Sequence, residues 1–547
     1  MIAELTMAAR LVRRLPSFLR HPITLDEARA ALRRRLERRA DDFLGVARHG
    51  IYDHPRSPYR ELLKAAGCAY GDLERLVRQD GVEQALRVLL GQGVYLTIDE
   101  FKGRRPAVRG STVVDVTPAL LRNPRSTFHV AARSGGSRSS GTPVFLDLAF
   151  IRECAANNFL GLDARGGGAW VKAIWESPGA GATFRVLRYS SFGAPLTRWF
   201  SPIDVNDPGL HPRYRWHARI VSWESRLIGV PLPGPEYVPL DDPRPIARWM
   251  AATLRDGRTP HMFSLTSPAV RLCQAALDAG IDVRGAQFEL AGEPTTEARL
   301  ETIRRAGADA VPRYGSIECG SIGYACFEPE APDDLHFFDD LHAIVQPGGD
   351  ERVPSVPANA LFISSLRSSA PFVMLNVSMG DQAVVRRRTC GCAMERLGWT
   401  THLHTIRSYE KLTGAGITLF DTDVVRVLED VLPKLFGGVP THYQLVEEET
   451  GSGLPRVRLL VHPAVGPLDT AVVAEAFLTA IGGGSGSERM RSRIWRDADV
   501  LRVERAAPVA TAGGKVHHLI SNRVSVPQPA TAPVPSADQR NSKQPQG

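Results

Sequence analysis

Between Phe288 and Tyr314 the chain commits itself to a strand, a helix and a second strand. Phe288-Glu289-Leu290-Ala291 is a short, mostly apolar run. Thr295 or Thr296 is placed to cap a helix through Leu300 and Ile303, Gly307 ends it, and Ala308 to Tyr314 returns as a strand. Such a βαβ unit requires an α/β sheet, and ligands of these sheets gather at the carboxyl ends of strands. Glu293 and Glu318 each fall just past one such end.

The second constraint is Ala131 to Val144, AARSGGSRSSGTPV. Glycines let a backbone approach an anion closely, and consecutive N–H groups with short hydroxyls supply donors without bulk. Arg133 and Arg138 add positive charge. The plain alternative is a solvated Ser/Gly loop. It is not a Walker A loop, because that motif needs Gly-Lys-[Ser/Thr], and Gly514-Lys515 is followed by Val516.

These residues resemble the phosphate loop of the adenylate-forming superfamily, whose pattern runs roughly [ST]-S-G-[ST]-T-G-x-P-K. Further stretches resemble the family in the same order: Ala291-Gly292-Glu293-Pro294, Tyr314-Gly315-Ser316-Ile317-Glu318, Gly380-Asp381 and Gly513-Gly514-Lys515. The YGSIECGSIGYAC stretch and Cys390-Gly391-Cys392 look most like the phenylacetate-CoA ligase branch, and the resemblance spans roughly 128–523. Two departures stand out: the loop is about two residues longer than the family form, with Val144 where a lysine is common, and MLNVSMGD lacks the family's Tyr and Arg before Asp381.

The resemblance implies ATP-dependent activation of a carboxylic acid to an acyl-adenylate, with release of pyrophosphate and transfer to a thiol, first of all coenzyme A. It implies that Ser134, Gly135, Gly136, Ser137, Ser139, Ser140, Gly141 and Thr142 cradle the β- and γ-phosphates. Gly292, Glu293 and Pro294 would line the adenine side, with Tyr314 and Gly315 against the base. Asp381, and Arg407 at the start of the hinge, would meet the ribose, while Glu410 is a weaker match to the hinge carboxylate. Glu318 would hold Mg2+, and Lys515 would bridge the substrate carboxylate and the α-phosphate. Transfer to an acidic carrier protein or an amine, and a degenerate scaffold without catalysis, remain open.

The fold expected is α/β and α+β: a large N-terminal adenylation domain with mixed β-sheets and helices, plus a small α+β C-terminal domain. Residues 1–125 read as a helical N-terminal region of the large domain and 126–405 as the core with the phosphate loop. Residues 406–523 read as a mobile domain, and 524–547, rich in Pro, Ala, Ser and Gln, as a disordered tail. Within the core, 184–187 and 218–221 read as short strands, and 360–366 as a strand before a turn at Gly380-Asp381. In the C-terminal unit a helix capped by Asp421 or Asp423 should stop at Pro433. Strands are expected at 442–446, 456–461 and 500–503, a helix at 469–481, and a flexible loop at 482–486.

Charge narrows the partners. Residues 1–60 hold 13 Arg against 7 Asp or Glu, which accounts for most of the chain's net +8. The arginines are interleaved with apolar residues as in amphipathic helices, without the aromatic interleaving of a nucleic-acid face. An acidic partner or an anionic membrane surface are the functional alternatives. No apolar run of about 18 residues appears, so no transmembrane segment is expected. A homodimer is compatible with the sequence.

Seven scattered cysteines argue for a reducing, cytoplasmic setting. Cys326, His336, Cys390 and Cys392 would together complete a structural Zn2+ site, with Cys319 as an alternative fourth ligand. The Cys-x-Cys spacing is shorter than the usual C-x₂₋₄-C, and buried thiols are the competing reading. Some members of the phenylacetate-CoA ligase branch carry a similar Cys-x-Cys.

Overall fold

Burial of one apolar stripe shapes the N-terminal helices. In α1 (Ile2–Arg20), Leu11, Leu15, Phe18 and Leu19 are buried, while Arg10, Arg13, Arg14 and Arg20 stay exposed. Thr24 and Glu27 form a reciprocal capping box that starts α2 (Leu25–Glu37). After α3 (Arg39–Ala47) and α4 (Tyr59–Ala65), the leucine-rich stretch divides at Gly81, φ +82°, into α5 (Tyr70–Asp80) and α6 (Val82–Gly91), and α7 (Ile98–Phe101) follows. The computed structural model describes residues 2–133, 142–205, 232–240, 242–293, 295–348, 353, 356–408, 412–414, 417–419, 424, 427–438, 442–449, 455–483, 486–497, 499–509 and 519–521.

Two hairpins come next, β1 (Ala107–Arg109) with β2 (Thr112–Val114) and β3 (Val130–Arg133) with β4 (Pro143–Leu146). The helices α8 (Leu148–Ala164) and α9 (Ala180–Ser190) flank the start of the main sheet. Its twelve described strands are β5 (Val171–Trp175), β6 (Arg198–Ser201), β7 (Pro235–Tyr237), β8 (Pro260–Leu265), β9 (Gln287–Ala291), β10 (Asp309–Ser316), β11 (Gly320–Ala325), β12 (Leu335–Phe337), β13 (His342–Val345), β14 (Ala360–Ser365), β15 (Val377–Arg387) and β16 (Thr401–Ser408).

The strand order is β13-β14-β15-β16-β12-β11-β10-β9-β8-β5-β6-β7. From β7 to β10 every neighbour is parallel; from β10 to β13 every neighbour is antiparallel. Parallel pairing needs crossovers, supplied by α9 and by the helices Arg244–Arg255, Thr266–Asp278 and Glu297–Arg305. The last is the helix expected between Phe288 and Tyr314, with Thr296 at its N-cap.

Three expectations are corrected. Residues 184–187 lie inside α9, where Ala182, Phe184, Val186, Leu187 and Tyr189 are all buried; a four-residue apolar window does not distinguish a buried helix from a strand. Residues 218–221 lie outside the described residues. Gly380 and Asp381 are not a turn but sit in β15, where Gly380 takes φ +87° and the register against β16 shifts between Gln382 and Val384. Pro433 does not stop a helix: the π-helical turn Val427–Val431 runs directly into Leu432–Phe436, and Pro433 is the second residue of that segment.

Beyond β16, the short hairpin of β17 (Leu412–Gly414) and β18 (Ile417–Leu419) precedes a four-stranded sheet. It contains β19 (Tyr443–Glu449), β20 (Pro455–Val461), β21 (Leu501–Glu504) and β22 (Leu519–Ser521) in the order β21-β20-β19-β22. Asp469 caps the helix Thr470–Ile481 through its carboxylate. A second helix, Gly486–Asp497, occupies the end of the stretch expected to be loop. Val473, Phe477, Ile481 and Trp495 are buried with the inner residues of β19 and β20.

No described helix is long and apolar enough to cross a membrane.

Candidate functional site

The central strands are apolar with a few polar exceptions, and those exceptions surround one cavity. Glu289 on β9 is fully buried; Arg188 from α9 and Arg313 from β10 each approach it at 3.3 Å, and Tyr189 donates to it at 3.3 Å. Burial by itself would raise the Glu289 carboxyl, but the two guanidinium groups outweigh it and hold it below its ordinary value. Burial, reinforced by Arg188, pushes Arg313 down to about 9. Beside them Arg185 donates to Glu176 at 2.9 Å and lies over the Phe263 ring, 4.1 Å from its centroid. Burial lowers Arg185 and raises Glu176.

Above this layer opens a cavity of about 320 Å³. It lies at the carboxyl ends of β5, β9 and β10, where the sheet changes from parallel to antiparallel pairing, and Glu176, Gly292 and Ser316 line it there. Tyr314, Gly315, Ile317 and Glu318 continue the wall. Asp381 reaches it from β15 and accepts the Tyr314 hydroxyl at 2.8 Å. Lys102, just past α7, closes another side.

The turn that holds Glu318 depends on two glycines. A Cβ on Gly315 would stand 2.4 Å from the Gly320 carbonyl oxygen. Gly320 takes φ +71°, and its Cβ would meet Phe150 and the Cys154 Sγ at 2.7 Å.

The structure therefore brings Gly292, Tyr314, Gly315, Glu318 and Asp381 together. It does not bring Glu293 or Arg407 to the cavity wall. The Glu293 carboxylate is buried 3.4 Å from Arg299. Arg407 donates to Asp333 at 2.7 Å; it pairs with Gln382, and it is Ser408 that lies opposite Asp381. Thr142 is buried just before β4. Ser134, Gly135, Gly136, Ser137, Ser139, Ser140, Gly141, Pro294, Glu410 and Lys515 lie outside the described residues.

Lys102, Glu176, Arg185 and Arg313 were not found from sequence. Arg313, immediately before Tyr314, carried the one available signal: a cation inside an apolar strand.

A second polar group lies within the antiparallel half, around the paired strands β12 and β16. Cys326, His336 and Cys390 converge there, with Cys392 Sγ 3.1 Å from His336 Nε2 and with His402, which sequence reasoning missed. Cys319 is not in this group; it is buried beside the Glu318 turn, near Cys154.

Two buried histidines predict the acid stability of the molecule. Burial holds His261 near 3 and His342 near 4, against 6.5 for the free side chain, so both stay neutral while folded. The unfolded chain takes up their protons as pH falls through 6.5, so folding stability drops. The slope is about 1.4 kcal/mol per pH unit for each histidine between roughly pH 6 and 5, above the range where most carboxylates titrate. Urea unfolding midpoints at pH 7.5 and 5 should show the loss, and His261→Phe should reduce it; an unchanged slope would mean that His261 does not stay neutral.

The sequence matches no protein-family model and no curated protein. Among solved structures, the chain is similar to a 2-hydroxyisobutyryl-CoA ligase in complex with 2-HIB-AMP and CoA in the thioesterification state: 14% identity, 89% of this chain and 90% of that one covered, TM-score 0.55. A malonyl-CoA ligase bound to methylmalonyl-CoA and AMP is 13% identical, with 82% and 94% covered and a TM-score of 0.40. An amide bond synthetase from Marinactinospora thermotolerans is 13% identical, with 85% and 92% covered and a TM-score of 0.40. With the order of the twelve strands and a smaller β-containing unit following them, the first of these likenesses gives the conclusion that this chain has the adenylate-forming ligase fold.

Proposed function

We propose that the chain is a cytoplasmic ligase that activates a carboxylic acid with ATP as an acyl-adenylate, releases pyrophosphate and passes the acyl group to a thiol, coenzyme A first. The observation that carries this reading is the convergence of Gly292, of Tyr314 with Glu318, and of Asp381, from three separate motifs, on one cavity at the carboxyl edge of the parallel strands. The residues fit the groups they would hold. Glu318 is a carboxylate suited to a hard cation such as Mg2+, Asp381 accepts hydrogen bonds as a ribose partner must, and Lys102 and Arg313 offer charge to phosphate. The cavity is small, and the Glu176–Arg185 pair makes its inner wall polar, which favours a compact acid over a long acyl chain. In this reading residues 406–523 turn as a unit between the two half-reactions, carrying Lys515 in and then out.

A second acceptor is favoured by one specific observation. The exposed arginines Arg10, Arg13, Arg14 and Arg20 on α1 present a positive face that suits an acidic carrier protein.

ATP/pyrophosphate exchange across a panel of short aryl, alkyl and amino acids tests the activity, and silence with every acid would leave a non-catalytic scaffold. Asp381→Ala should raise the KM for ATP at least about tenfold, since a hydrogen bond to a charged group contributes roughly 1.5–3 kcal/mol. Glu318→Gln should raise the Mg2+ concentration needed for half-maximal exchange. Wild-type dependence on ATP and Mg2+ in both variants would place the nucleotide elsewhere.

A further inference from the structure

The cluster around β12 and β16, in the middle of the antiparallel half of the sheet, shares no residue with the cavity wall. Cys326 follows β11, His336 lies in β12, Cys390 follows β15 and His402 lies in β16; one ligand atom from each falls within 4.8 Å of the other three. The two imidazole rings are fully buried, with centroids 4.1 Å apart.

Each ring is oriented by its outer nitrogen. His336 Nδ1 lies 2.7 Å from the Trp399 carbonyl oxygen, so it carries the proton and leaves the Nε2 lone pair facing the thiols, 3.6 Å from Cys390 Sγ. His402 Nδ1 lies 2.9 Å from an Asp334 carboxylate oxygen, and its Nε2 is buried with no hydrogen-bond partner. A buried nitrogen left unpaired costs about 1–3 kcal/mol. Its neighbours in the cluster, the other imidazole and the thiols, give it no hydrogen bond. A cation between the four groups satisfies it.

We propose that Cys326, His336, Cys390 and His402 bind one structural zinc ion. Two imidazoles and two thiolates are the ligand set and softness that zinc takes tetrahedrally, with Zn–S of about 2.3 Å and Zn–N of about 2.0–2.1 Å. Ligand atoms around such a centre stand roughly 3.3–3.8 Å apart, within the 4.8 Å spread observed. Binding releases the two thiol protons to solvent, and two thiolates balance the ion's double charge, so the buried site is neutral.

The surroundings are those of a metal site. Asp334 and the Trp399 carbonyl hold the outer nitrogens of the two histidines, which fixes each ring with its inner nitrogen toward the thiols, as metal-ligating imidazoles are held. The Cys326 sulfur accepts the Glu328 N–H at 3.4 Å, and Arg388, paired with Asp334 at 2.5 Å, donates to the same sulfur at 3.4 Å. Cys392 falls outside the four whose ligand atoms all lie within 4.8 Å of one another, although its sulfur is 3.1 Å from His336 Nε2; it accepts the Met394 N–H at 3.3 Å and caps the short helix Ala393–Arg396.

The ion joins four segments far apart in sequence. It fixes β16 against β12, next to Asp333, which accepts the Thr405 and Ile406 N–H groups at 2.7 and 2.9 Å. It thereby sets the strand that pairs with β15 and aligns Asp381. No open coordination position is needed, so its role is structural.

The full-length chain, purified without an affinity tag, should contain about one zinc per molecule by elemental analysis. Chelation should lower the thermal midpoint and expose the Cys326 and Cys390 thiols to alkylation, mapped by mass spectrometry. His402→Gln should reduce the zinc content several-fold, whereas Cys392→Ser should keep it. If the variants do not fold, the alkylation pattern of the wild-type chain with and without chelator decides. Identical alkylation in both, or metal-free protein unaffected by added Zn2+, would overturn the site. Retention of zinc by His402→Gln with its loss in Cys392→Ser would overturn the assignment of His402.

Discussion

Replacing Lys515 with alanine is expected to lower ATP/pyrophosphate exchange at least about 100-fold, while transfer from supplied acyl-adenylate continues at close to the wild-type rate. In the function proposed above, Lys515 would stand between the carboxylate and the α-phosphate, where negative charge develops as the adenylate forms, and loss of one such donor typically costs about 100- to 1,000-fold. The second half-reaction has no such charge at that place. Lys515→Arg should recover little, because a planar guanidinium does not replace a compact ammonium. Equal loss in both half-reactions would show that the lysine acts elsewhere or supports the fold.

The largest loss of stability should come from Glu289→Gln. Its carboxylate is the shared partner of Arg188 and Arg313, both buried at 3.3 Å, and no described carboxylate other than the Glu176 already paired with Arg185 joins this layer. Removing one member of a buried ion network leaves charge without compensation, which costs about 3–5 kcal/mol. Denaturant unfolding reads this directly. The same variant should disturb activity, because Arg313 lines the cavity and loses the group that orients it. A loss under about 1 kcal/mol would mean that the two guanidinium groups find other acceptors, and Glu289 would then not be the support of the site.

The βαβ unit from Phe288 to Tyr314 was legible because its information is local: apolar runs of strand length, an extended Thr296 at the N-cap position and a terminating glycine act within a few residues of themselves. The same holds for Asp469 capping its helix and for the amphipathic α1. Short windows misled where the apolar run was brief, as at 184–187, or where a glycine suggested a turn, as at Gly380. There the neighbouring strand β16, distant in sequence, holds an extended backbone through a shifted register.

By itself, the sequence determined which chemical groups the chain carries and in what order: the Ser/Gly loop, Glu318, Asp381, Lys515 and the thiols around Cys390. Tertiary structure alone decided which of them meet. It placed Tyr314 on Asp381, turned Glu293 to Arg299 and Arg407 to Asp333, and brought Lys102, Arg185 and Arg313 to the cavity. It also set His402 beside His336, because β12 and β16 are adjacent strands although the two residues lie 66 positions apart in the chain. Side-chain partners of this kind follow from strand order and register, which depend on the packing of the whole sheet and leave no pattern in any short stretch of sequence.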